Sequence, residues 1–326
     1  MNQWMPVKRY LLFVIISFTL SIAFEIQAAE DDYPNKAIQL IIPWGAGSAS
    51  DLNSRILSPL LGEYFKQPFV VVNKPGAGGV IGHTFLAKSK PDGYTIGAVS
   101  SLFGVYLFTI KDVEFNLDSF VPVYAFAKTP MFLLVKPDAP WKTFKDFAED
   151  AKRNPGKLRY SSIGIASAAN LVAVDLFKKA GIKVTHIPYA GTGDALGAVI
   201  GGHVDIAPSW GSSGYLKSGT LRALAVAERE RLEDYPDIPT LVELGYPVVA
   251  FPIYGHSAPK GTPKNVLAKL TKGYLEILKT NKKSISAAVK KFDQIVIIMG
   301  PDEYYKQMKE DYENMKNTFL ELQKNK

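Results

Sequence analysis

The feature that most constrains this 326-residue chain is a repeated unit: an apolar run, a loop of tiny residues, then an amphipathic helix. In the first unit Gly45–Ser50 follows the apolar run Lys36–Pro43, and Leu52, Ile56 and Leu60 then recur at every fourth position. The apolar run predicts a strand that is buried on both faces, and the four-residue spacing predicts a helix. Strands that alternate with helices predict an α/β fold with a largely parallel sheet covered on both faces.

The unit recurs in two similar sections, which indicates a site made between two lobes. Further strands are predicted at Pro68–Asn73, 92–101, Met131–Lys136, Leu158–Ser162, 183–189, 203–210 and 221–227. We expect Ser50 or Asp51 to cap the first helix, because short polar side chains accept hydrogen bonds from helix N–H groups. Asp51 is expected to pair with Arg55 one turn on. Thr143 is expected to cap a later helix, and Pro263 to lie near the start of another.

Composition excludes several classes of protein. The net charge is +7, but the basic residues are dispersed and no nucleic-acid reader motif occurs, so we expect no nucleic-acid partner. The chain has no cysteine, which excludes disulfides, thiol nucleophiles and a lipoprotein anchor. Its 4 histidines have no metal-ligand spacing, so we expect no metal site and no cofactor.

The N-terminus predicts an export signal over residues 1–29. Lys8 and Arg9 precede the apolar run Tyr10–Phe24, and small residues follow at Ala28 and Ala29. The run is shorter than the roughly 20 residues that a spanning helix needs, which favours cleavage over an uncleaved anchor. The mature chain is then expected to begin near residue 30, in the periplasm.

The small-residue loops predict a binding site. In an open α/β sheet, ligands bind beyond the carboxyl ends of the strands, where helix N-termini attract anions and tiny side chains admit a ligand. Four segments have this position: Trp44–Ser50, Ser100–Ser101, Ser161–Ala169 and Tyr189–Gly193. No phosphate-binding glycine motif occurs, and no G-x-S-x-G nucleophile motif either, although a dispersed Ser/His/Asp arrangement stays open.

Seven phrases then occur in one order: "YPNKAIQLIIPWGAGSASDLNSRIL", "VVVNKPGAGGVIG", "PDGYTIGAVSS", "HIPYAGTGDALGAVIGGHVDIA", "SGTLRALAVA", "PDIPTLVELGYP" and "SAPKGTPKNVLAKL". With them the chain resembles the solute-binding receptors of tripartite tricarboxylate transporters, the Bug-type extracytoplasmic receptors. The likeness covers nearly all of the chain from Tyr33 onward.

The resemblance implies a two-lobed periplasmic binding protein of Venus-flytrap, type II-like architecture with two crossing strands. Lobe 1 would comprise residues 30–128 and 251–326, and lobe 2 residues 129–250. The chain would be a monomer and not an enzyme; it would capture a small carboxylate between its lobes and deliver it to a two-subunit membrane permease. A receptor that feeds a membrane sensor kinase, or an exported hydrolase, remain alternatives.

Together the loops and the resemblance give one set of candidate ligand-binding residues. They are Trp44, Gly45, Ala46, Gly47, Ser48, Ser50, Asp51, Ser100, Ser101, Ser162, Gly164, Ser167, Ala168, Asn170, Tyr189, Gly191, Thr192 and Asp205. Three positions depart from the family pattern: Trp44 replaces a phenylalanine, Ser48 a glycine and Asn170 a histidine. These changes either reshape the pocket or are silent packing substitutions.

Overall fold

A computed structural model describes residues 33–165, 167–189 and 191–324 of the chain. The predicted signal peptide, residues 1–29, lies outside them. The helices are α1 Ala49–Phe65, α2 Val80–Ala87, α3 Tyr106–Thr109, α4 Phe144–Arg153, α5 Ala168–Lys179, α6 Thr192–Ile200, α7 Ser213–Lys217, α8 Lys264–Thr280, α9 Lys282–Lys290 and α10 Pro301–Lys324.

The strands form two separate mixed layers. They are β1 Ile38–Ile42, β2 Phe69–Asn73, β3 Thr95–Ser100, β4 Phe120–Lys128, β5 Met131–Val135, β6 Arg159–Ser162, β7 Thr185–Pro188, β8 Ala207–Trp210, β9 Arg222–Val226, β10 Ile253–Pro259 and β11 Ile295–Met299. The first layer is a six-stranded sheet in the order β11-β4-β10-β3-β1-β2. In the second layer β5 lies between β8 and β9, and β6 pairs with β7. A parallel bridge from Tyr160 to Ile206 places β6 beside β8.

The chain crosses between the two layers twice. It passes from β4 to β5 through Thr129 and Pro130, and it returns from β9 to β10 through residues 227–252. Each layer carries apolar clusters of its own, built around Leu40 and Leu270 in the first and around Leu133 and Leu176 in the second. The molecule is therefore an α/β protein with two lobes.

The strands that precede the small-residue loops are parallel, as predicted: β1 pairs in parallel with β2 and β3, and β6 with β7. The prediction of a largely parallel sheet is wrong for the rest. β10 runs antiparallel to β3 and β4, β11 antiparallel to β4, and β5 antiparallel to β8 and β9. Strands next to the crossings reverse direction because the chain leaves one lobe and re-enters it without an intervening crossover helix.

The apolar spacing that predicted α1 is confirmed. Leu57 and Leu61 are buried, and Leu52, Ile56 and Leu60 are half-buried on the same side. Elsewhere, Thr143 caps α4 with a capping box and Pro263 precedes α8, both as predicted. No helix within the described ranges is long and apolar enough to cross a bilayer.

Candidate ligand-binding cleft

The first wall of the candidate site is the loop between β1 and α1. Ser48 caps α1: its Oγ accepts from the Asp51 N–H at 3.4 Å. The prediction that Ser50 or Asp51 is the cap is wrong, because the extended backbone ends at Ser48 and the helix starts two residues earlier. Gly45, Ala46 and Gly47 are exposed, and Gly47 has a φ of +83°, which favours glycine.

Asp51 stabilises the loop between β1 and α1 through hydrogen bonds to its carboxylate. Its buried carboxylate accepts from the Gly47 N–H at 2.9 Å, from Arg55 Nε at 3.0 Å and from Asn73 Nδ2 at 2.9 Å. The predicted Asp51–Arg55 pair is thus confirmed. Burial alone would raise the pKa of Asp51, but the hydrogen bonds from Arg55, Gly47 and Asn73 together lower it. Because protein groups already occupy the carboxylate, it shapes the loop.

Trp44 lies against the glycine-rich segment that precedes α2 and contains Gly79. Its ring packs edge-on against His83, with the ring centroids 5.4 Å apart, and its side chain is hydrogen-bonded to Tyr106. A Cβ atom at Gly79 would lie 3.1 Å from Trp44 Nε1, so that position needs glycine. His83 is fully buried, and burial lowers its pKa to about 4, so the imidazole under Trp44 is neutral at pH 7.

Ser100, the last residue of β3, and Ser101, which follows it, have different surroundings. Ser100 Oγ accepts from the Leu102 N–H at 3.3 Å, and Ser100 lines the cleft cavity described below. Ser101 is fully buried; its Oγ accepts from the Ile253 N–H at 3.2 Å and is hydrogen-bonded to the Asp311 carboxyl group. Ser101 therefore ties β3 to the start of β10 and to α10.

The second lobe contributes the loop between β6 and α5. Ser167 caps α5: its Oγ accepts from the Asn170 N–H at 3.2 Å and donates to the Gly164 carbonyl at 2.8 Å. Ser162 ends β6, with its Oγ 2.8 Å from His186 Nε2. Gly164 has a φ of +110° and open space around it, and Ala168 is the first residue of the helix.

Asn170 stabilises the loop between β6 and α5 through hydrogen bonds of its side chain. Its side chain is buried, its Oδ1 accepts from the Tyr160 hydroxyl at 2.7 Å, and its Nδ2 donates to the Ile165 carbonyl at 2.6 Å. Both ends of the amide are therefore occupied by the protein, as is the carboxylate of Asp51 in the other lobe.

The last predicted loop leads into α6. The Tyr189 N–H donates to the Ser162 carbonyl at 2.8 Å, which holds the ends of β7 and β6 together. Gly191 caps α6 with extended backbone, and Thr192 is its first residue. This loop therefore starts its helix beside the loop that starts α5.

The structure does not bring Asp205 to these loops. Its carboxylate accepts from the Arg159 N–H at 2.7 Å and lies 3.9 Å from Arg159 Nε. Arg159 begins β6, whereas Ser162 ends it at the cleft. Asp205 consequently stabilises the far end of the strand and lies outside the candidate site.

Two cavities occupy the cleft and share Trp210. One, of about 270 Å³, is lined by Trp44, Ser48, Ala49, Ser50, Ser100, Leu102, Trp210, Pro252 and Tyr254. The other, of about 60 Å³, is lined by Ser162, Ile163, Ala169, Thr192, Ala195, Leu196, Ala207, Pro208, Ser209 and Trp210. The first lobe thus brings four predicted residues together, namely Trp44, Ser48, Ser50 and Ser100, and the second lobe brings Ser162 and Thr192 together.

Sequence reasoning missed Trp210, Tyr254, Leu102 and Pro252. Trp210 ends β8 at the same edge as Ser162, so the rule that ligands lie beyond strand ends could have found it. Tyr254 reaches the cleft because β10 runs antiparallel to β3, with Tyr254 opposite Ser100. No pattern in the sequence predicted the pairing of β10 with β3.

The electrostatics of the cleft come from backbone groups. Among the described residues that line the two cavities, none carries a charged side chain. Ala49 and Ser50 begin α1, Ala169 is the second residue of α5, and Thr192 begins α6. The first N–H groups of a helix have no intrahelical acceptor, and each helix start carries roughly half a positive charge. The arrangement suits a small anion.

A larger cavity, of about 450 Å³, lies elsewhere. Lys128, Glu228, Arg229, Lys290 and Gln294 are among the residues that line it. It lies towards β9 and β11, whereas the cleft lies towards β8 and β10, so the crossing strands separate the two. None of the predicted site residues lines it.

Two α/β lobes joined by two crossing segments, with a cleft between them, define a periplasmic binding protein. The profile described as "Tripartite tricarboxylate transporter family receptor" matches residues 54–322. The chain belongs to this receptor family. Protein BugT of Bordetella pertussis is 33% identical over 300 residues, which are 90% of this chain and 91% of BugT.

Solved structures agree with this assignment. A TctC solute-binding protein from Polaromonas superposes with a TM-score of 0.79 at 26% identity, covering 89% of this chain and 99% of that one. MatC of Rhodopseudomonas palustris, solved with bound malate, gives a TM-score of 0.71 at 24% identity over 88% of this chain and 99% of MatC. A second R. palustris protein, solved with adipate, gives 0.73 at 23% identity over 88% and 97%. At those identities the last two likenesses concern the fold.

Proposed function

We propose that this chain is an extracytoplasmic receptor that captures a small carboxylate anion between its lobes and delivers it to a two-subunit tripartite-tricarboxylate-type permease. The observation that carries the proposal is the convergence of helix starts on a cleft whose described lining has no charged side chain. A carboxylate would accept from the N–H groups at the start of α1 in one lobe. Its other end would meet the starts of α5 and α6, and closure of the lobes would bury it.

The proposed ligand contacts fall into two groups. Side chains of Trp44, Ser48, Ser50, Ser100, Ser162 and Thr192 face the ligand, together with Trp210 and Tyr254. The backbone of Gly45, Ala46, Gly47, Gly164, Ser167, Ala168, Tyr189 and Gly191 forms the rim. Asp51, Ser101 and Asn170 position these groups and do not touch the ligand.

The remaining expectations belong to the same proposal. Residues 1–29 would direct export to the periplasm and be removed, leaving a monomer without cofactor or catalytic turnover. Residues 30–128 and 251–326 would form lobe 1, and residues 129–250 lobe 2. The mass of the chain recovered from the periplasm tests whether residues 1–29 are removed. Recovery of the ligand unchanged after binding tests whether the chain lacks catalytic turnover.

A substitution at the start of α1 tests anion capture. Ala49 lines the larger cleft cavity and is the first residue of α1. Ala49→Asp adds an acidic side chain where helices favour one, so the fold should be retained, but its charge should repel a bound carboxylate. We expect carboxylate binding by the chain from residue 30 onward to fall by more than about tenfold, because like charges at close range cost more than 1.4 kcal/mol.

The readout is a thermal-shift and calorimetric panel of carboxylates, with neutral sugars as controls. A ligand at 100 times its dissociation constant should stabilise the chain by about 2.7 kcal/mol. Lys264→Asp also places an acidic side chain at the first position of a helix, at the start of α8 and outside the cleft. Although it changes the net charge by two units where Ala49→Asp changes it by one, it should leave binding intact. Shifts with sugars alone, or equal binding by Ala49→Asp and the unchanged chain, would contradict the proposal.

A further inference from the structure

The cleft lining points to a narrower ligand class than carboxylates in general. We infer that the cleft selects a carboxylate with an apolar body, either an unsubstituted methylene chain or an aromatic ring, carrying at most two carboxylates. In this inference Trp44 and Trp210 determine the specificity. It rests on the proposed function, since it names the ligand class of the same site.

Three aromatic side chains, Trp44, Trp210 and Tyr254, line the larger of the two cleft cavities, and protein groups engage the polar atom of each. The Trp44 side chain is hydrogen-bonded to Tyr106. Trp210 Nε1 donates to the Ala250 carbonyl at 3.4 Å. The Tyr254 hydroxyl accepts from Thr129 Oγ1 at 3.4 Å. Trp44 and Trp210 therefore offer ring surface to a ligand, whereas Tyr254 offers its ring and one hydroxyl proton. Leu102 and Pro252 add further apolar surface.

The polar groups that remain suit the ends of such a ligand. Ser48 Oγ and Ser100 Oγ each accept a backbone N–H, so their hydroxyl protons are left to donate to an acceptor. A hydroxyl group in the middle of the ligand, between Trp44 and Trp210, would lie against ring surface and lose its hydrogen bonds to water. The lining therefore favours acceptors at the ligand's ends and carbon between them.

Charge limits the number of carboxylates. The described lining of both cavities has no lysine, arginine or histidine. The starts of α1, α5 and α6 supply roughly half a positive charge each, which is enough for one or two carboxylates. A third carboxylate would be desolvated without compensation.

Pairs of acids that differ in one feature separate the effects of a hydroxyl, of chain length and of a third carboxylate in calorimetric titrations at pH 7.4. Succinate and malate differ by one hydroxyl, succinate and adipate by two methylene groups, and glutarate and tricarballylate by the third carboxylate. Benzoate supplies a ring with one carboxylate. The chain is first unfolded in guanidinium chloride and refolded, which removes any ligand retained from the cells.

We expect adipate to bind at least about tenfold more tightly than succinate, as two further buried methylene groups predict. The buried ring of benzoate should have a comparable effect. Malate should bind more weakly than succinate, and tricarballylate more weakly than glutarate. In Trp44→Ala and Trp210→Ala the ratio of succinate to adipate dissociation constants should fall towards one. Trp44→Phe and Trp210→Phe keep a ring and should retain most of the ratio; Phe292→Ala removes an exposed ring outside the cleft and should not change it.

Malate or tricarballylate binding as tightly as adipate and benzoate would overturn this inference and leave the proposed function standing. An unchanged ratio in both alanine variants would overturn the role of the tryptophans. Binding of none of these acids would contradict the proposed function, and the inference with it.

Discussion

At the scale of single residues, the polar side chains around the cleft divide by whether protein groups already occupy them. Asp51, Ser101 and Asn170 make their hydrogen bonds within the protein and hold the loops in shape. Ser48 and Ser100 accept from the backbone and keep a proton to donate. The distinction predicts that the first group affects binding through loop geometry and the second by direct contact.

Asp51→Asn tests this division. Loss of the charge weakens the bonds from Arg55 and Gly47, so we expect a loss of about 2 kcal/mol in unfolding free energy and about tenfold weaker binding. Urea titration and calorimetry measure the two effects. Asp146→Asn weakens the equivalent hydrogen bonds at the start of α4, away from the cleft. That variant should lose stability alone; equal losses of affinity in both would contradict a specific role for Asp51.

The residues of the first wall could be predicted because strand, loop and helix follow one another along the chain. Trp44, Ser48, Ser50 and Ser100 were predicted and line one cavity. The roles of Asp51 and Asn170 could not be predicted, because the partners that occupy them, Asn73 and Tyr160, lie on other strands.

At the scale of elements, the strands followed by a small-residue loop and a helix were predicted, and β4, β10 and β11 were missed. β10 contains glycine, histidine and serine, a composition that does not predict a buried strand. Its residues are nevertheless buried: Gly255 fits against Tyr304, and His256 lies 2.8 Å from Ser54 Oγ and 2.5 Å from the Tyr274 hydroxyl. These pairings come from distant parts of the chain, so no local pattern gives them.

The contact of α10 with the end of β3 predicts a dependence of stability on pH. Asp311 on α10 is hydrogen-bonded to Ser101 and Gln307, and burial raises its pKa to about 6 in spite of these bonds. The folded chain then holds this proton more tightly than the unfolded chain. The contribution of Asp311 to stability is therefore largest in acid and is lost as pH rises from about 4 through about 6.

Asp311→Asn removes the charge and keeps the shape. We expect this variant to exceed the unchanged chain in unfolding free energy by about 2 kcal/mol at pH 8, with the difference vanishing near pH 4. Urea titrations at the two pH values measure it. A variant that is less stable at pH 8 would show that the ionised carboxylate stabilises α10.

At the scale of the whole molecule, a buried ion pair joins the two crossing segments. Lys128 at the end of β4 lies 2.6 Å from Glu228, which follows β9, and their side chains are 18% and 3% exposed. Burial raises the pKa of Glu228, although Lys128 and Arg229 act to lower it. The pair connects the outgoing and returning crossings between the lobes.

Lys128→Met should leave the Glu228 carboxylate buried without its nearest cation. We expect a loss of about 3 kcal/mol in unfolding free energy at pH 7, because an unpaired buried charge is costly. The loss should shrink in acid, as Glu228 becomes protonated, and Lys128→Met combined with Glu228→Gln should recover most of it. A double variant as unstable as Lys128→Met alone would assign the effect to the lost contact between the Lys128 ammonium and the Phe251 ring, whose centroid lies 4.2 Å from Nζ.

The central claim is that a carboxylate binds between the lobes, against helix starts and indole rings. A crystal structure of the refolded chain with its tightest carboxylate tests this most directly. The account predicts one carboxylate within hydrogen-bond distance of the N–H groups of Ala49 or Ser50, and the ligand body between Trp44 and Trp210. A ligand on the far side of the crossing strands, in the cavity beside Lys128 and Glu228, would contradict it.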